Sequence, residues 1–282
     1  MKTVMFGDQS VPAIGIGTWH MGDKSNRQGD EIAAIQAGIE AGAQVIDTAE
    51  MYGNGNSERL VGKAIKKFNR QDLFIIDKVL PENASLAQLP KHLEASLRRV
   101  DTDYFDLYLY HWRGSIPLSE TVEALQAAQT TGKIKRWGVS NFDLMDMEEL
   151  LAISGGNNVA ANEDLYNLGS RGTEYDLQSW QVDHHIPFIA YTPVAQGDRF
   201  GQDLTTNSTI LEIANRHDVT PYQILLAWSI RNGNVLAIPQ SSNPQHATEN
   251  INSGDIELSA KELSIIDDNF PAPTTHAPLD IL

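Results

Sequence analysis

The strongest constraint on the fold of this chain is a regular alternation of short apolar runs, typical of β-strands, with longer segments of helical spacing. The alternation extends from near residue 13 almost to the end of the 282 residues. The sequence contains about eight such runs: Ala13 to Gly17, Val45 to Thr48, Leu73 to Lys78, Tyr104 to Tyr110, Ile134 to Ser140, Val159 to Asn162, Pro187 to Tyr191 and Val235 to Pro239. This pattern predicts repeated units of one strand and one helix.

The segments between the runs place their apolar residues three and four positions apart, as an amphipathic helix does. Ile32, Ile35 and Ile39 follow the acidic pair Asp30 and Glu31, which is typical of a helix N-terminus. The same spacing recurs in Leu89, Leu93, Leu97 and Val100, in Val122 and Leu125, and in Leu144, Met147, Leu150 and Leu151.

Eight such units favour an α/β fold with a closed parallel sheet ringed by helices, because right-handed crossovers bury parallel strands on both faces. On periodicity alone, an open doubly wound sheet is an alternative. No linker or low-complexity tract divides the chain, so we expect residues 1 to 282 to form a single (β/α)8 TIM barrel domain. Thr3 to Phe6 and Val11 to Ile14, joined by Gly7 to Ser10, predict an N-terminal β-hairpin that covers one end of the barrel.

Composition limits the possible functions. The chain has 37 acidic and 21 basic residues and a formal charge of −16, so we expect no nucleic-acid partner. It has no cysteine, which excludes thiolate catalysis and disulfides. No stretch approaches the roughly 18 to 20 apolar residues that span a bilayer, so we expect no membrane partner and a cytoplasmic location. We also expect a monomer.

Several well-known motifs are incomplete. The segments Gly15 to His20 and Gly53 to Glu58 lack the third glycine of a dinucleotide fingerprint, and Gly62-Lys63 and Gly132-Lys133 lack the remaining residues of a P-loop. The adjacent pair His184-His185 would not share a helix face, and we expect no metal site.

Polar residues instead follow three of the predicted strands. Asp47, Lys78 and His111 stand at strand ends, and Tyr52 lies five residues after Asp47. In a barrel these positions meet at one face. A phenol is a weak acid unless a cation stabilises its anion, so we expect Lys78 to assist Tyr52 and Asp47 to hold the ammonium. His111 would either orient a carbonyl oxygen or relay a proton. The set suits proton delivery to a carbonyl that accepts hydride.

These residues also carry a resemblance. The chain is similar to the aldo-keto reductase family in Ile46-Asp47-Thr48-Ala49-Glu50-Met51-Tyr52-Gly53, in Lys78, in Asp106 to Trp112, and in Gly138-Val139-Ser140-Asn141-Phe142. The resemblance implies a barrel that reduces aldehydes or ketones with NADP(H) or NAD(H). It implies that Asp47, Tyr52, Lys78 and His111 form the catalytic tetrad, with Tyr52 as the general acid.

The same resemblance implies the cofactor contacts and the walls of the substrate pocket. Ser140 and Asn141 correspond to the residues that bond the nicotinamide carboxamide, and Tyr191 to the tyrosine that stacks on the ring. Trp19 and Trp112 would line the pocket for a small carbonyl substrate. The remaining cofactor positions implied are Gly17, Thr18, Asp47, Glu163, Gln240, Ser241, His246, Glu249 and Asn250.

Two departures from the family pattern concern the cofactor. Glu163 stands where the family commonly has an amide, although a shifted register would place Asn162 there. Gln240 and His246 occupy positions where members that use NADPH usually have lysine and arginine. We therefore expect a relaxed preference between NADPH and NADH, with Ser241 still able to bond phosphate or ribose oxygens.

Other interpretations are open at this stage. The chain could be a nicotinamide-binding redox-sensing or regulatory subunit with little turnover, or a barrel isomerase or hydrolase without nicotinamide.

We expect Glu58 and Arg59 to form a solvated first turn of a helix. The short segments Gln196 to Asn207 and Pro271 to Leu282 predict an open pocket and broad substrate use.

Overall fold

The computed structural model describes residues 1 to 195 and 204 to 282. It begins with an antiparallel hairpin of β1 (Thr3–Phe6) and β2 (Gln9–Pro12), which confirms the predicted hairpin. The turn contains only Gly7 and Asp8, so β2 begins two residues earlier than the predicted second strand. Gly7 has a φ of +64°, which suits the tight turn.

Eight parallel strands follow, and each pairs with the next in sequence order. They are β3 (Ile16–Gly17), β4 (Val45–Asp47), β5 (Phe74–Val79), β6 (Leu107–Tyr110), β7 (Trp137–Ser140), β8 (Asn162–Leu165), β9 (Phe188–Tyr191) and β10 (Val235–Ala237). A parallel bridge between Ile14 and Ala237 joins the last strand to the start of the first, so the sheet closes into a barrel. The alternative of an open sheet was therefore wrong.

Strand β8 is the one that the apolar pattern placed incorrectly. It starts at Asn162, where the predicted run ends, and its first three residues are Asn162, Glu163 and Asp164. All three are buried. A strand of polar residues gives no hydrophobic signal, which is why the sequence pattern favoured the apolar segment before it.

Ten α-helices lie in the described ranges, and they follow the predicted order. They are α1 (Gln28–Glu40), α2 (Asn56–Ile65), α3 (Leu89–Val100), α4 (Leu118–Thr130), α5 (Leu144–Ala152), α6 (Leu177–Asp183), α7 (Ser208–His217), α8 (Pro221–Ser229), α9 (Pro244–Asn252) and α10 (Ala260–Asn269). The stripe of Leu89, Leu93, Leu97 and Val100 on α3 is buried as expected. No helix in the described part of the chain is both long and apolar enough to cross a membrane.

The two ends of the barrel differ. At the end where the strands start, the hairpin packs against the sheet: the rings of Phe6 and Phe74 lie 5.0 Å apart, and Arg136 pairs with Asp8. At the opposite end, β4 finishes at Asp47, β7 finishes at Ser140, and Lys78 is the penultimate residue of β5. This second end is where the polar residues predicted from the sequence converge.

Candidate active site

A buried lysine lies at the centre of the converging residues. The Lys78 ammonium is fully buried, and Nζ lies 2.6 and 2.5 Å from the two carboxylate oxygens of Asp47. It also donates to the Thr48 carbonyl oxygen at 3.2 Å and to the Tyr52 hydroxyl oxygen at 3.3 Å. Lys78 therefore joins residues from β4, β5 and the short turn Tyr52–Gly55.

The electrostatics of Tyr52 differ from the expectation drawn from the sequence. Lys78 lowers the pKa of the Tyr52 phenol as expected, but burial raises it by more, and the carboxyls of Asp47 and Glu163 add to the rise. The net pKa lies above its ordinary value. In the free protein the phenol therefore keeps its proton throughout the neutral range, as a proton donor must.

His111 completes the set that the sequence predicted. Its ring lies edge-on to the Tyr52 ring, with 5.9 Å between ring centroids, and it follows the last residue of β6. Burial, and secondarily the nearby Lys78 charge, hold the pKa of His111 well below its usual range. A neutral imidazole can donate a hydrogen bond to a carbonyl oxygen without carrying charge itself.

These groups border a cavity of about 680 Å³ at the C-terminal end of the strands. Trp19 and Trp112 line it as predicted, together with Met51, which the sequence reasoning missed although it is adjacent to Tyr52. Arg113 lies at the rim and pairs with Asp146 and Glu149 on α5. The last two residues, Ile281 and Leu282, also line the cavity, whereas residues 196 to 203 of the predicted open loop lie outside the described residues.

One part of the cavity wall contains amide, hydroxyl and phenol groups. The Tyr191 hydroxyl donates to Asn141 Oδ1 at 2.8 Å, and Asn141 Nδ2 donates to the His111 carbonyl oxygen at 3.1 Å. Ser140 Oγ donates to the Glu163 carbonyl oxygen at 2.8 Å. Asn141 adopts a φ of +59°, a conformation that asparagine tolerates better than most residues. This network fixes the Asn141 side chain at the cavity wall.

Glu163 faces the cavity and Asn162 does not. The Glu163 side chain lines the cavity, with Oε1 3.4 Å from Lys78 Nζ. The Asn162 amide donates instead to the Phe142 carbonyl oxygen and to Asp164 on the other face of β8. Burial and then the charge of Asp47 raise the pKa of the Glu163 carboxyl well above its usual range. The register that places glutamate at the cavity is therefore the one adopted.

Gly17 and Thr18 approach the cavity through tightly packed backbone. A Cβ on Gly17 would lie 2.5 Å from the Ile238 carbonyl oxygen, so only glycine fits there. The Thr18 hydroxyl is fully buried and donates to the Asp47 carbonyl oxygen at 2.8 Å. Ser57, a residue that the sequence reasoning missed, donates to Thr18 Oγ1 at 2.7 Å and fixes this hydroxyl. No sequence motif marks Ser57, because its role depends on a contact with Thr18, which lies 39 positions earlier in the chain.

The remaining predicted cofactor residues lie beyond β10. Gln240 is exposed and lines the cavity, and its amide donates to Ser242 Oγ at 3.1 Å. His246 is exposed in the first turn of α9, which Asn243 caps. Ser241 accepts from the Asn243 backbone N–H, while Glu249 and Asn250 lie further along α9 and outside the cavity lining.

The sequence predicted that Glu58 lies in a solvated first turn of a helix, and for Glu58 this was wrong. It is fully buried in α2, where its carboxylate pairs with Arg99 of α3. Arg99 therefore compensates the buried charge between two helices. The helical first turn was predicted correctly, but which side chains of that turn face α3 is set by packing. Among the described residues, no group of three or more His, Asp or Glu side chains is placed to hold a metal ion.

Comparison with known proteins shows the family to which the chain belongs. The aldo/keto reductase family model matches residues 13–269. The methylglyoxal reductase YeaE of Escherichia coli is 45% identical over 100% of this chain and 99% of its own length, and the glyoxal reductase of Bacillus subtilis is 32% identical over 91% and 88%. A crystal structure of an aldo/keto reductase from Klebsiella pneumoniae in complex with NADP and acetate superposes with a TM-score of 0.97, at 47% identity, over 100% and 99% of the two chains. The chain belongs to the aldo/keto reductase family.

Proposed function

We propose that this protein reduces small aldehydes and ketones, 2-oxoaldehydes such as methylglyoxal among them, with a nicotinamide cofactor as the hydride donor. The observation that carries the proposal is the contact of the buried Lys78 ammonium with both Asp47 and the Tyr52 hydroxyl at the wall of the cavity. The names of the Escherichia coli and Bacillus subtilis relatives support the class of substrate.

The residues at the cavity fit a nicotinamide dinucleotide. Glu163 Oε2 and His111 Nδ1 are buried and have no hydrogen-bond partner among the described residues, so both are free to contact a ligand. Ser140, Asn141 and Glu163 would hold the carboxamide, and Tyr191 would face the ring. Gly17, Thr18 and Asp47 would line the passage toward Gln240, Ser241 and His246, with Glu249 and Asn250 on the helix beyond. When bound, the cofactor supplies the hydride that attacks the carbonyl carbon.

The protein supplies the proton and the alignment. Tyr52 donates its hydroxyl proton to the carbonyl oxygen as that oxygen gains negative charge. Lys78 stabilises the resulting phenolate, and Asp47 fixes the position of the ammonium through its two short contacts. Neutral His111 orients the carbonyl oxygen. Trp19 and Trp112 form apolar walls that admit a small substrate and limit access by water.

We propose in addition that the enzyme acts without a second copy of the chain and accepts either nicotinamide cofactor. The single barrel acts as a monomer. Both NADPH and NADH serve, because Gln240 and His246 offer no fixed positive charge for the 2′-phosphate of NADPH. A charged hydrogen bond contributes about 1.5 to 3 kcal/mol, so two missing cations reduce the advantage of NADPH.

Steady-state kinetics with methylglyoxal, glyoxal and a simple ketone, each with NADPH and NADH, tests the proposal. We expect turnover that depends on the nicotinamide and is strongly reduced in Tyr52→Phe, which should keep the fold and the cofactor affinity. Tight cofactor binding without turnover on any carbonyl would instead support the regulatory subunit, and the absence of cofactor binding would refute both.

A further inference from the structure

Glu163 contacts Lys78 but has no part in the proton donation described above. The side chain is 2% exposed; Oε1 lies 3.4 Å from Lys78 Nζ, and Oε2 has no hydrogen-bond partner among the described residues. The inference that follows rests on the proposed function, because it concerns how this carboxyl responds to the nicotinamide.

The charges around Lys78 do not balance if both carboxyls are ionised. The ammonium lies within 2.6 Å of both oxygens of Asp47, and its contact with Glu163 is longer, at 3.4 Å. Asp47 therefore compensates Lys78, and an ionised Glu163 would be a second buried negative charge without its own cation. Burying an uncompensated carboxylate is so costly that such groups hold their proton instead.

The groups that face Glu163 from the neighbouring elements do not change this balance. His111, which follows β6, is neutral because its pKa is well below the usual range. The phenols that face the cavity have pKa values above their ordinary value, mainly through burial, and stay uncharged at neutral pH. Among the described residues, the groups that face Glu163 are Asp47 of β4, Tyr52 of the following turn, Lys78 of β5, His111, Ser140 and Asn141 at the end of β7, and Tyr191 of β9. The lining of the same cavity also includes His20, the carboxyl terminus at Leu282, and Arg113, whose charge is paired with Asp146 and Glu149.

The redox state of the nicotinamide changes the charge at this wall. The reduced ring is neutral and the oxidised ring is a cation. A family member with an amide in place of Glu163 has no proton to release there, whereas a carboxyl becomes a favourable anion when a cation arrives beside it. We propose that Glu163 holds a proton in the free enzyme and in the NADPH complex and releases it when NADP⁺ is bound, so that the buried site keeps the same net charge in both redox states.

The proton released by Glu163 has a route to the acid that needs it. Lys78 Nζ lies between the two groups, 3.4 Å from Glu163 Oε1 and 3.3 Å from the Tyr52 oxygen. In reduction, hydride passes to the carbonyl carbon and the Tyr52 proton passes to the carbonyl oxygen. Lys78 then gives a proton to the phenolate and takes one from Glu163. The site gains one positive charge on the nicotinamide and one negative charge on Glu163, and Glu163 regains a proton from solvent after NADP⁺ leaves.

Proton release on cofactor binding measures this directly, without turnover. Titration calorimetry of NADP⁺ and NADPH, each in two buffers with different ionisation enthalpies at the same pH, gives the number of protons released by each. The 2′-phosphate is common to both nucleotides, so its titration cancels in the difference. We expect NADP⁺ to release up to one proton more than NADPH. Where the difference is one proton, the Kd for NADP⁺ should fall about tenfold, relative to that for NADPH, for each unit by which the pH is raised.

Two variants of adjacent residues make the assignment specific. Glu163→Gln keeps the shape of the side chain without the proton, and it should reduce the difference in proton release to zero while both nucleotides still bind. Asp164→Asn is the matched control: Asp164 is also buried and its pKa is also raised by burial, but it bonds Asn162 on the other face of β8. Its difference in proton release should equal that of the wild type.

The outcomes separate the inference from the function on which it rests. Equal proton release for the two nucleotides by the wild-type protein would overturn the inference alone, and this result needs no variant to fold. A difference that persists in Glu163→Gln would also overturn it. If neither nucleotide binds, the proposed function fails and the inference fails with it.

Discussion

Replacing Lys78 by methionine removes the ammonium that faces two buried carboxyls while keeping a side chain of similar length. In the wild type, the charge of Lys78 balances that of Asp47, which contacts it through both oxygens. Asp47 is 1% exposed in the wild type, and the Lys78→Met variant removes the cation beside it. We expect Asp47 to take up a proton when the variant folds, since an unpaired buried carboxylate costs more than protonation.

The size and sign of the effect follow from proton linkage. The pKa of Asp47 in the folded variant is raised, whereas in the unfolded chain it is about 3.9, so between pH 5 and 7 the folded state binds one more proton than the unfolded state. The free energy of unfolding then falls as the pH rises, by about 1.36 kcal/mol per pH unit for one proton. Burial raises the pKa of Asp47 in the wild type as well, against the opposing effect of Lys78. Relative to the wild type, the variant should therefore lose up to about 2.7 kcal/mol of stability between pH 5 and pH 7.

Urea unfolding of both proteins at pH 5, 6 and 7 measures this difference. Tyr52→Phe is a suitable control, because it alters the same cavity without changing a charge, and its stability difference from the wild type should not depend on pH over this range. In the double variant Lys78→Met/Asp47→Asn, the difference in unfolding free energy from the wild type should again be independent of pH. If the stability of Lys78→Met stays parallel to that of the wild type from pH 5 to 7, Asp47 does not take up the proton and the charge balance inferred here is wrong.

Three further variants test other parts of the structure. Tyr52→Phe should lower kcat by about 10²- to 10⁴-fold, the usual contribution of a general acid, with the cofactor Kd unchanged in fluorescence titration; full activity would require another acid. Gln240→Lys combined with His246→Arg should tighten NADPH binding by about tenfold or more without affecting NADH binding, since each cation adds a charged hydrogen bond to the 2′-phosphate. An equal change in affinity for both nucleotides would contradict the assignment of positions 240 and 246 to the 2′-phosphate. Arg99→Leu should destabilise the protein by about 3 to 5 kcal/mol in urea unfolding, because Glu58 stays buried without its partner. Arg98→Leu, at the exposed neighbouring position, is the control and should have little effect. Similar losses of stability in both variants would argue against the buried pair.

Much of the candidate site was predictable because it lies where strands end. Asp47, Lys78 and Ser140 follow or close apolar runs that are strong strand signals, and the rule that parallel strands finish at one end of a barrel brings them together. The location of Tyr52 beside them follows from its short distance in sequence from Asp47. Lys78 lowers the pKa of the Tyr52 phenol as the sequence predicted, but the larger opposing effect of burial depends on the tertiary structure and was not predictable from the sequence.

The sequence by itself determined the order of the elements, seven of the eight barrel strands and the ends of β4, β5 and β7 from which Asp47, Lys78 and Ser140 arise, because hydrophobic periodicity is a local property of the chain. It did not place β8, whose first three residues are polar. The tertiary structure decided which face of β8 turns Glu163 rather than Asn162 to the cavity, and that Glu58 is buried against Arg99. It also decided the protonation of the buried groups. Burial and the distances between charges from different strands set these properties, and neither is encoded in any single segment of the chain.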